Sequence, residues 1–421
     1  MSSHALPGSD TDRIWTNWGG NQTCTAAVFA RPRDETEVLA AVRHAIDRGL
    51  NVRVAGSGHS FTPVVPTGGM LLDLTRLTGV TGVTATDPQR LRATALAGTT
   101  VGDFGAPLWD AGLSLTNQGD IDKQVIAGAI ATGTHGSGID LPSFSAALRR
   151  VRLVDGHGEV VEIDEGDARR LHAAQVAIGS LGVMLEVELA VSPAYHLTEE
   201  ISYRPWQQIV ESWDELIAGH RHFSFFWCPA DESADLYQLP APPDQPMADH
   251  CYVKLYDEAE IDEPAGIVTT EGHRVDRAYR IYPGGFDTPF HEMEYMVPAE
   301  HGLEAVSAIR ELMRTGHPDQ RYPIEVRWTA ADEAYLSPNH RLATTVISVS
   351  GAPGTDYWPF LRAVDERLRE FRARPHWGKL HFMTRDRMAE LFDEFDTFLD
   401  VRREFDPNGT FLNDHLRPLL G

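Results

Sequence analysis

An α+β chain built as two units is the fold class this sequence predicts, on three observations. Its 421 residues exceed what one hydrophobic core usually serves. Short apolar strands punctuated by glycine alternate with amphipathic helical stretches in the first part of the chain. After Ser192-Pro193 the texture changes to aromatic-rich strands and an irregular proline-rich loop at residues 239–246.

Taken in order, Asp34-Glu35-Thr36-Glu37 opens a helix that carries Val38, Leu39, Val42 and Ile46 at helical spacing and closes at Gly49. Strands are expected over residues 51–55, 70–74 and 91–97. Residues 151–154 and 160–163, joined by Asp155-Gly156-His157-Gly158-Glu159, read as a hairpin. Gly179-Ser180-Leu181-Gly182-Val183 then leads into the last strand of the first unit, 184–191. In the second unit, strand-like runs at 223–227, 324–328 and 345–350 and helical runs at 299–313 and 357–372 predict an antiparallel sheet flanked by helices. Phe405-Asp406-Pro407-Asn408-Gly409 marks a turn near the end.

Composition narrows the function classes. Charged residues make up 23% and hydrophobic ones 42%, as in an ordinary globular protein. The formal net charge of -24 disfavours nucleic acid and anionic membrane surfaces as partners. The three cysteines, Cys24, Cys228 and Cys251, lack CxxC spacing and an even count, which points to a reducing compartment rather than a disulfide framework or zinc ribbon. Residues 1–7 show no basic stretch followed by an apolar core, and no membrane-length apolar run follows, so a cytoplasmic protein is expected.

Chemistry concentrates in two glycine-rich runs. Val54-Ala55-Gly56-Ser57-Gly58-His59-Ser60-Phe61 carries an apolar strand into a turn that presents an imidazole beside bare amides. Gly56 and Gly58 can take positive φ, letting main-chain N–H groups converge on an anion. A second run, Ala131-Thr132-Gly133-Thr134-His135-Gly136-Ser137-Gly138, supplies another cradle, enough together for both phosphates of a dinucleotide. Taken singly, each is a tight turn between strands, with His59 an exposed turn residue and His135 bonded to its own loop. The first lacks the third glycine and the following helix of a Rossmann fingerprint, and the second lacks the Lys-Ser/Thr ending of a P-loop, so a permanently held diphosphate suits them better than one that is transferred. With no HExxH and no Cys-His cluster at ligand spacing, no metal site is expected. Gly179-Ser180-Leu181-Gly182 is not a GxSxG nucleophile elbow.

Further on, the strand period puts Glu325 and Arg327 on one face. Such a pair is often structural; bordering a pocket, Arg327 can donate to a substrate oxygen while Glu325 fixes its geometry. Ser348 and Ser350 offer hydroxyls at the same spacing. Pro375-His376-Trp377-Gly378-Lys379-Leu380-His381 combines an indole, a cation and two histidines; an extended reading puts Lys379 and His381 on one side, and the plainer reading is a solvated surface loop.

Together these runs resemble the vanillyl-alcohol-oxidase-type flavoproteins, and within them the sugar oxidases that act on alditols and aldonolactones, over nearly the whole chain. Residues 52–61 resemble the family's histidyl-flavin loop, 127–138 its diphosphate loop, 179–187 its adenine-side strand, and Glu325-Val326-Arg327 with His376-Trp377-Gly378-Lys379 its catalytic face. Glu294-Tyr295-Met296-Val297-Pro298-Ala299-Glu300-His301-Gly302 looks more like the aldonolactone side. The resemblance implies a two-domain FAD-binding fold of the PCMH type: a cofactor domain at 1–192, a substrate domain at 193–375, and a segment at 376–421 packing back near the flavin. FAD would be joined through His59 to its 8α-methyl and, with no cysteine near residue 120, joined once. The other implied cofactor residues are Val54, Ala55, Gly56, Ser57, Gly58, Ser60 and Phe61; Gly128, Thr132, Thr134, His135, Gly136, Ser137 and Gly138; and Gly182, Val183, Val187 and His376.

The implied reaction oxidises a carbohydrate-like alcohol, passing hydride to the flavin and reducing oxygen to hydrogen peroxide. Arg327 and Lys379 would polarise the reacting hydroxyl and Glu325 would orient it, with His381 or water as base. Substrate contacts are implied at Val125, Ser348 and Ser350, where relatives carry Ser or Thr, His and Thr. The apolar Val125 points to a less polar or bulkier substrate: a lactone, an alditol, or a larger derivative such as a nucleoside. A dehydrogenase with another electron acceptor and a non-catalytic sugar- or nucleotide-binding protein are the competing readings. A monomer is expected, without nucleic-acid or membrane partners.

Overall fold

The computed structural model describes residues 9–421 except 86, 88, 89, 243, 263–265, 271, 286 and 287. The run at 1–7 and Pro243 of the proline-rich loop therefore lie outside the described residues. Asp34 caps the helix Glu35–Arg48 by accepting from the Glu37 N–H at 2.9 Å, a contact typically worth about 1 kcal/mol. Gly49 ends the helix at φ 64°. Val38, Ala41, Val42 and Ala45 form its buried stripe, which packs on the strands Leu148–Val154 and Val183–Ala190.

Two sheets organise the first half. One runs Ser9–Asp10, Val28–Ala30, Met70–Asp73, Val52–Ala55, with the last three strands parallel. Every residue of Met70–Asp73 is buried, as expected for a strand covered on both faces. The other is an antiparallel sheet in the order Val160–Asp164, Leu148–Val154, Val183–Ala190, Arg92–Leu96, Val80–Thr84. It contains the expected hairpin, in register from Val154 opposite Val160.

The second half is built on an antiparallel sheet of eight described strands: Val275–Arg277, His196–Pro205, His250–Ala259, His222–Cys228, Ile324–Thr329, Thr344–Gly351, His291–Pro298 and Arg374–Pro375. Five of these, at 196–205, 250–259, 275–277, 291–298 and 374–375, were not among the expected strands. Ile347 and Val349 join the core formed with the helices Gly302–Gly316 and Trp358–Arg369. Ser348 and Ser350 alternate onto the opposite face, towards the first half. The chain then returns: Trp377 and residues through Leu420 enter the core of the first half. There the Val52 N–H donates to the Thr410 carbonyl at 2.8 Å, and Asn413 Nδ2 bonds the Pro63 and Pro66 carbonyls, both at 2.9 Å.

Candidate active site

A long cavity of about 1010 Å³ runs through the first half, walled by residues 53–60, 124–134 and 178–184 and closed by His376, Gly378 and Lys379. Val54, Ala55, Gly56, Ser57, Gly58, His59 and Ser60 all line it. Gly58 takes φ +72° as its turn requires, whereas Gly56 does not enter that region. Gly56 is needed for a different reason: a Cβ there would stand 2.8 Å from the Val125 Cβ. The backbone approach, rather than the dihedral, excludes a side chain.

His59 lies flat against Trp18, with ring centroids 5.1 Å apart and planes 29° apart. Burial, then Lys379 and Lys123, push its imidazole down to about 4, so it is neutral at physiological pH. Among the described residues no group hydrogen-bonds its ring nitrogens. Phe61 does not reach the cavity; it is buried against Phe290 and His291, with Lys379 Nζ 5.3 Å from its ring centre.

The second glycine run is less a loop than expected. Residues Ile126–Thr132 form a helix that Gly133 closes at φ 83°, and Gly128, Thr132 and Thr134 line the cavity. His135 faces away, towards a second pocket. Gly136 packs within the first half, where a Cβ would meet the Gln118 carbonyl at 1.9 Å, and Ser137 and Gly138 tie the halves together: Ser137 Oγ donates to the Phe223 carbonyl and the Gly138 N–H to the Trp328 carbonyl at 2.8 Å. Gly182 lines the cavity, but Val183 and Val187 are fully buried in the core behind it. Val125, expected beside substrate, sits in the cofactor cavity against Gly56, so its apolar character says little about the substrate.

The second pocket, about 560 Å³, adjoins the first, and Gln124, Thr134, His376 and Lys379 line both. Register builds its floor: Phe226, Glu325 and Glu294 reach the pocket from one row of paired residues on four neighbouring strands, in which Ser348 stands between Glu325 and Glu294. Paired residues of antiparallel strands project to the same face. The expected pair is there, with Arg327 Nε 3.6 Å from Glu325 Oε1. Arg327 is further held by Asp120 at 2.7 Å from Nη1 and by Glu294 at Nη2, while its buried Nε has no hydrogen-bond partner. Lys379 Nζ pairs with Glu292.

Ser348 and Ser350 act one step back from the pocket. Ser348 Oγ donates to Glu294 at 2.6 Å, and Ser350 Oγ shares a hydrogen bond of 2.5 Å with the Tyr237 hydroxyl. Glu294 and Tyr237 are the groups that reach the wall. His135 holds Glu294 from the other side at 3.3 Å, and its Nδ1 bonds the Gly136 carbonyl at 2.7 Å.

Electrostatics separates the carboxylates. Burial pushes Glu325 up to about 8; Arg327 opposes this, and Asp120, Glu292 and Glu294 reinforce it. Burial also works against ionised Glu294, but Arg327 and His135 outweigh it and hold that carboxyl well below the usual range. His376 is kept neutral: burial and then Lys379 lower it to about 3 against the pull of Glu294.

Residues 376–379 are not extended. They form a turn in which the His376 N–H donates to the Glu294 carbonyl at 3.0 Å, Trp377 Nε1 to the Leu336 carbonyl at 2.6 Å, and the Phe61 N–H to the Gly378 carbonyl at 2.7 Å. This turn sets Lys379 beside His59 and sends His381 elsewhere, half-buried against Trp377 and His415 and outside both cavities.

Asp120, Glu292, Glu294, Gln124 and Tyr237 were missed as site residues by the sequence reading. A signal existed for two of them: His291-Glu292-Met293-Glu294-Tyr295 alternates carboxylates with large apolar residues at the strand period. Asp120 and Gln124 carry no such local mark.

A family model described as D-arabinono-1,4-lactone oxidase matches residues 259–419, and one described as FAD binding domain matches residues 26–164. The L-gulono-1,4-lactone dehydrogenase of Mycobacterium tuberculosis is 34% identical, over 97% of this chain and 99% of that protein. The chain belongs to the FAD-dependent aldonolactone and alditol oxidoreductases. The alditol oxidase of a Streptomyces species is 28% identical over 96% of this chain and 98% of its own, and mouse L-gulonolactone oxidase 25% over 96% and 97%. In fold, a cholesterol oxidase from Brevibacterium sterolicum superposes at a TM-score of 0.82 with 14% identity, covering 98% of each chain. This is the two-domain FAD-binding architecture of the PCMH type that the sequence led us to expect.

The first cavity fits FAD. It is walled largely by small residues and main chain from both glycine-rich runs, and Gln124 Oε1 is buried there without a partner, an acceptor awaiting a donor.

Proposed function

We propose that this protein oxidises a hydroxyl of a neutral, polyhydroxylated lactone or alditol, with FAD carried on His59 and molecular oxygen as the electron acceptor. The observation that carries the reading is the shared wall: a ligand in the second pocket abuts whatever fills the first, along Gln124, Thr134, His376 and Lys379. When bound, the flavin supplies the two-electron acceptor. A neutral imidazole with unbonded ring nitrogens, fixed in plane by Trp18, is the nucleophilic form that a single covalent link through His59 requires.

The second pocket suits a neutral substrate. Asp120, Glu292 and Glu294 offset the charges of Arg327 and Lys379, and carboxylates accept hydrogen bonds from sugar hydroxyls. Phe226, Tyr237 and Phe290 give it an apolar side. The reacting oxygen sits on the pocket side of Arg327 Nε and Glu325 Oε1, against both: the unpartnered guanidinium N–H donates to it, Lys379 adds a second positive charge, and ionised Glu325 takes its proton. This replaces His381 as the candidate base. His376 accepts from the Gly378 N–H at Nδ1, so its Nε2–H points into the site as a donor. The three free cysteines agree with the reducing, cytoplasmic setting that completes the reading, with a monomer as the working unit.

The name of the mycobacterial relative favours a second reading, a dehydrogenase that keeps every one of these residue roles but passes electrons to another acceptor. One screen tests both: holoenzyme with lactones, alditols, sugars and nucleosides, following peroxide in air and dye reduction without oxygen. Peroxide forming at the rate of substrate oxidation supports the oxidase; dye reduction with slow peroxide supports the dehydrogenase. Turnover with neither class of neutral substrate contradicts the proposal.

A further inference from the structure

Arg327 is held by a residue from the wrong side of the molecule. Asp120 lies in Gln118-Gly119-Asp120 of the cofactor half, yet its carboxylate serves two cations of the eight-stranded sheet, Arg327 Nη1 at 2.7 Å and Lys254 Nζ at 3.5 Å. These cations stand on the strands Ile324–Thr329 and His250–Ala259, which are separated by the strand His222–Cys228. The Asp120 carbonyl is fixed as well, accepting from the Gly284 N–H at 2.9 Å.

The consequence lies in what Arg327 leaves unused. With Nη1 on Asp120 and Nη2 on Glu294, both ends of the guanidinium fork are engaged, and Nε stays unpartnered 3.6 Å from Glu325. A guanidinium freed at Nη1 would find a carboxylate within reach on its own strand. Arg and carboxylate prefer the two-point contact, and forming it would take up the Nε–H that a substrate oxygen must receive. We propose that Asp120 is a positioning residue for the oxidation: it anchors Arg327 across the two halves and so keeps Arg327 Nε–H free to donate to a reacting hydroxyl set against Nε and the Glu325 carboxylate together.

Three observations support this. Lys254 offsets the second Asp120 oxygen, so Asp120 stays ionised despite burial: burial raises its carboxyl, and Lys254 and Arg327 together outweigh that. The charges around Glu325 come from several elements: Arg327 on its own strand, Glu292 and Glu294 on the strand His291–Pro298, Lys379 on the turn and Lys254 behind Asp120. His135, His376 and Tyr237 complete that surround. Finally, because Asp120 belongs to one half and Arg327 to the other, this anchoring exists only when the halves are docked.

The inference rests on the reading that Arg327 handles the reacting oxygen, and the test separates the two. FAD-loaded full-length Asp120→Asn, Asp120→Ala and Arg327→Met are compared with the unaltered protein for kcat and KM between pH 6 and 10, using its best neutral lactone or alditol, with flavin absorbance and melting temperature recorded alongside. Asp120→Ala is expected to lose on the order of 10²-fold in kcat, the usual cost of moving a catalytic group by about 1 Å, with flavin content unchanged. Asp120→Asn, isosteric and still able to accept from Arg327, should shift the rising limb of kcat/KM down by about one pH unit, because a negative charge beside Glu325 has gone. An unmoved limb with kcat within about threefold of the unaltered protein overturns the proposal. So does a loss that merely follows flavin release or a lower melting temperature. Full activity in Arg327→Met would instead remove the functional reading beneath it.

Discussion

The cofactor cavity and the pocket beside it are made in opposite ways. Around the first, main chain and small residues set the shape: Gly56 yields to Val125, Gly58 turns the chain, and Gly128, Ala129 and Ala131 present a nearly bare helix surface. Around the second, long charged side chains reach in from strands far apart in sequence, each held by another: Arg327 by Asp120 and Glu294, Glu294 by Ser348 and His135, Lys379 by Glu292. A large cofactor can be gripped by shape. A reacting hydroxyl needs charges placed to a fraction of an ångström, and those must be fixed by partners. The two designs should therefore fail differently.

The largest expected effect is all-or-none. His59→Ala should abolish covalent flavin, seen as loss of the yellow colour from acid-precipitated protein and of the flavin mass on the His59 peptide; flavin still attached would dissociate His59 from the linkage. Next, Arg327→Met should cut kcat/KM by about 10²- to 10³-fold, the range for removing one oxyanion donor, while the covalent flavin stays, so that the pocket fails and the cavity does not. Glu325→Gln should cost about 10²-fold or more in kcat as a lost base and erase a limb. A base active when ionised, with its proton affinity pushed up to about 8, makes kcat/KM rise as pH climbs through 8; a profile that keeps this rise in Glu325→Gln contradicts the assignment.

The smallest effect probes shape alone. Gly56→Ala puts a Cβ 2.8 Å from the Val125 Cβ, an overpacking that typically costs about 1–3 kcal/mol. It should lower the melting temperature and slow flavin loading, and Val125→Ala in the same chain should restore part of both. Equal effects with and without Val125→Ala would place the strain elsewhere.

The same contrast explains what the sequence disclosed. A wall made of main chain announces itself locally, because only glycine allows the close approach at Gly56 and the turn at Gly58, and both stand beside His59 in the sequence. Glu325 and Arg327 were also legible, since two residues at strand spacing share a face whatever the sheet around them. Which strands flank them was not legible. Glu292 and Glu294 reach the pocket only because the strand His291–Pro298 pairs with Thr344–Gly351, which pairs with Ile324–Thr329, an order unrelated to sequence order. The strands His196–Pro205 and His250–Ala259 escaped notice because Glu199, Glu200, Asp257 and Glu258 break their apolar pattern; buried Glu199 is matched by Arg274, far along the chain. At residues 376–379 an extended reading was defeated by the indole of Trp377, whose bond to the Leu336 carbonyl folds the segment into a turn.

Mixing holoenzyme with a neutral aldonolactone or alditol in the absence of oxygen, while following flavin absorbance, reports on the shared wall directly. Rapid and complete bleaching in the unaltered protein, at least about 10²-fold slower in Arg327→Met with its flavin still bound, is what two adjoining sites working together require. Bleaching at the same rate in both proteins would mean that the charged pocket takes no part in delivering electrons to the cavity beside it.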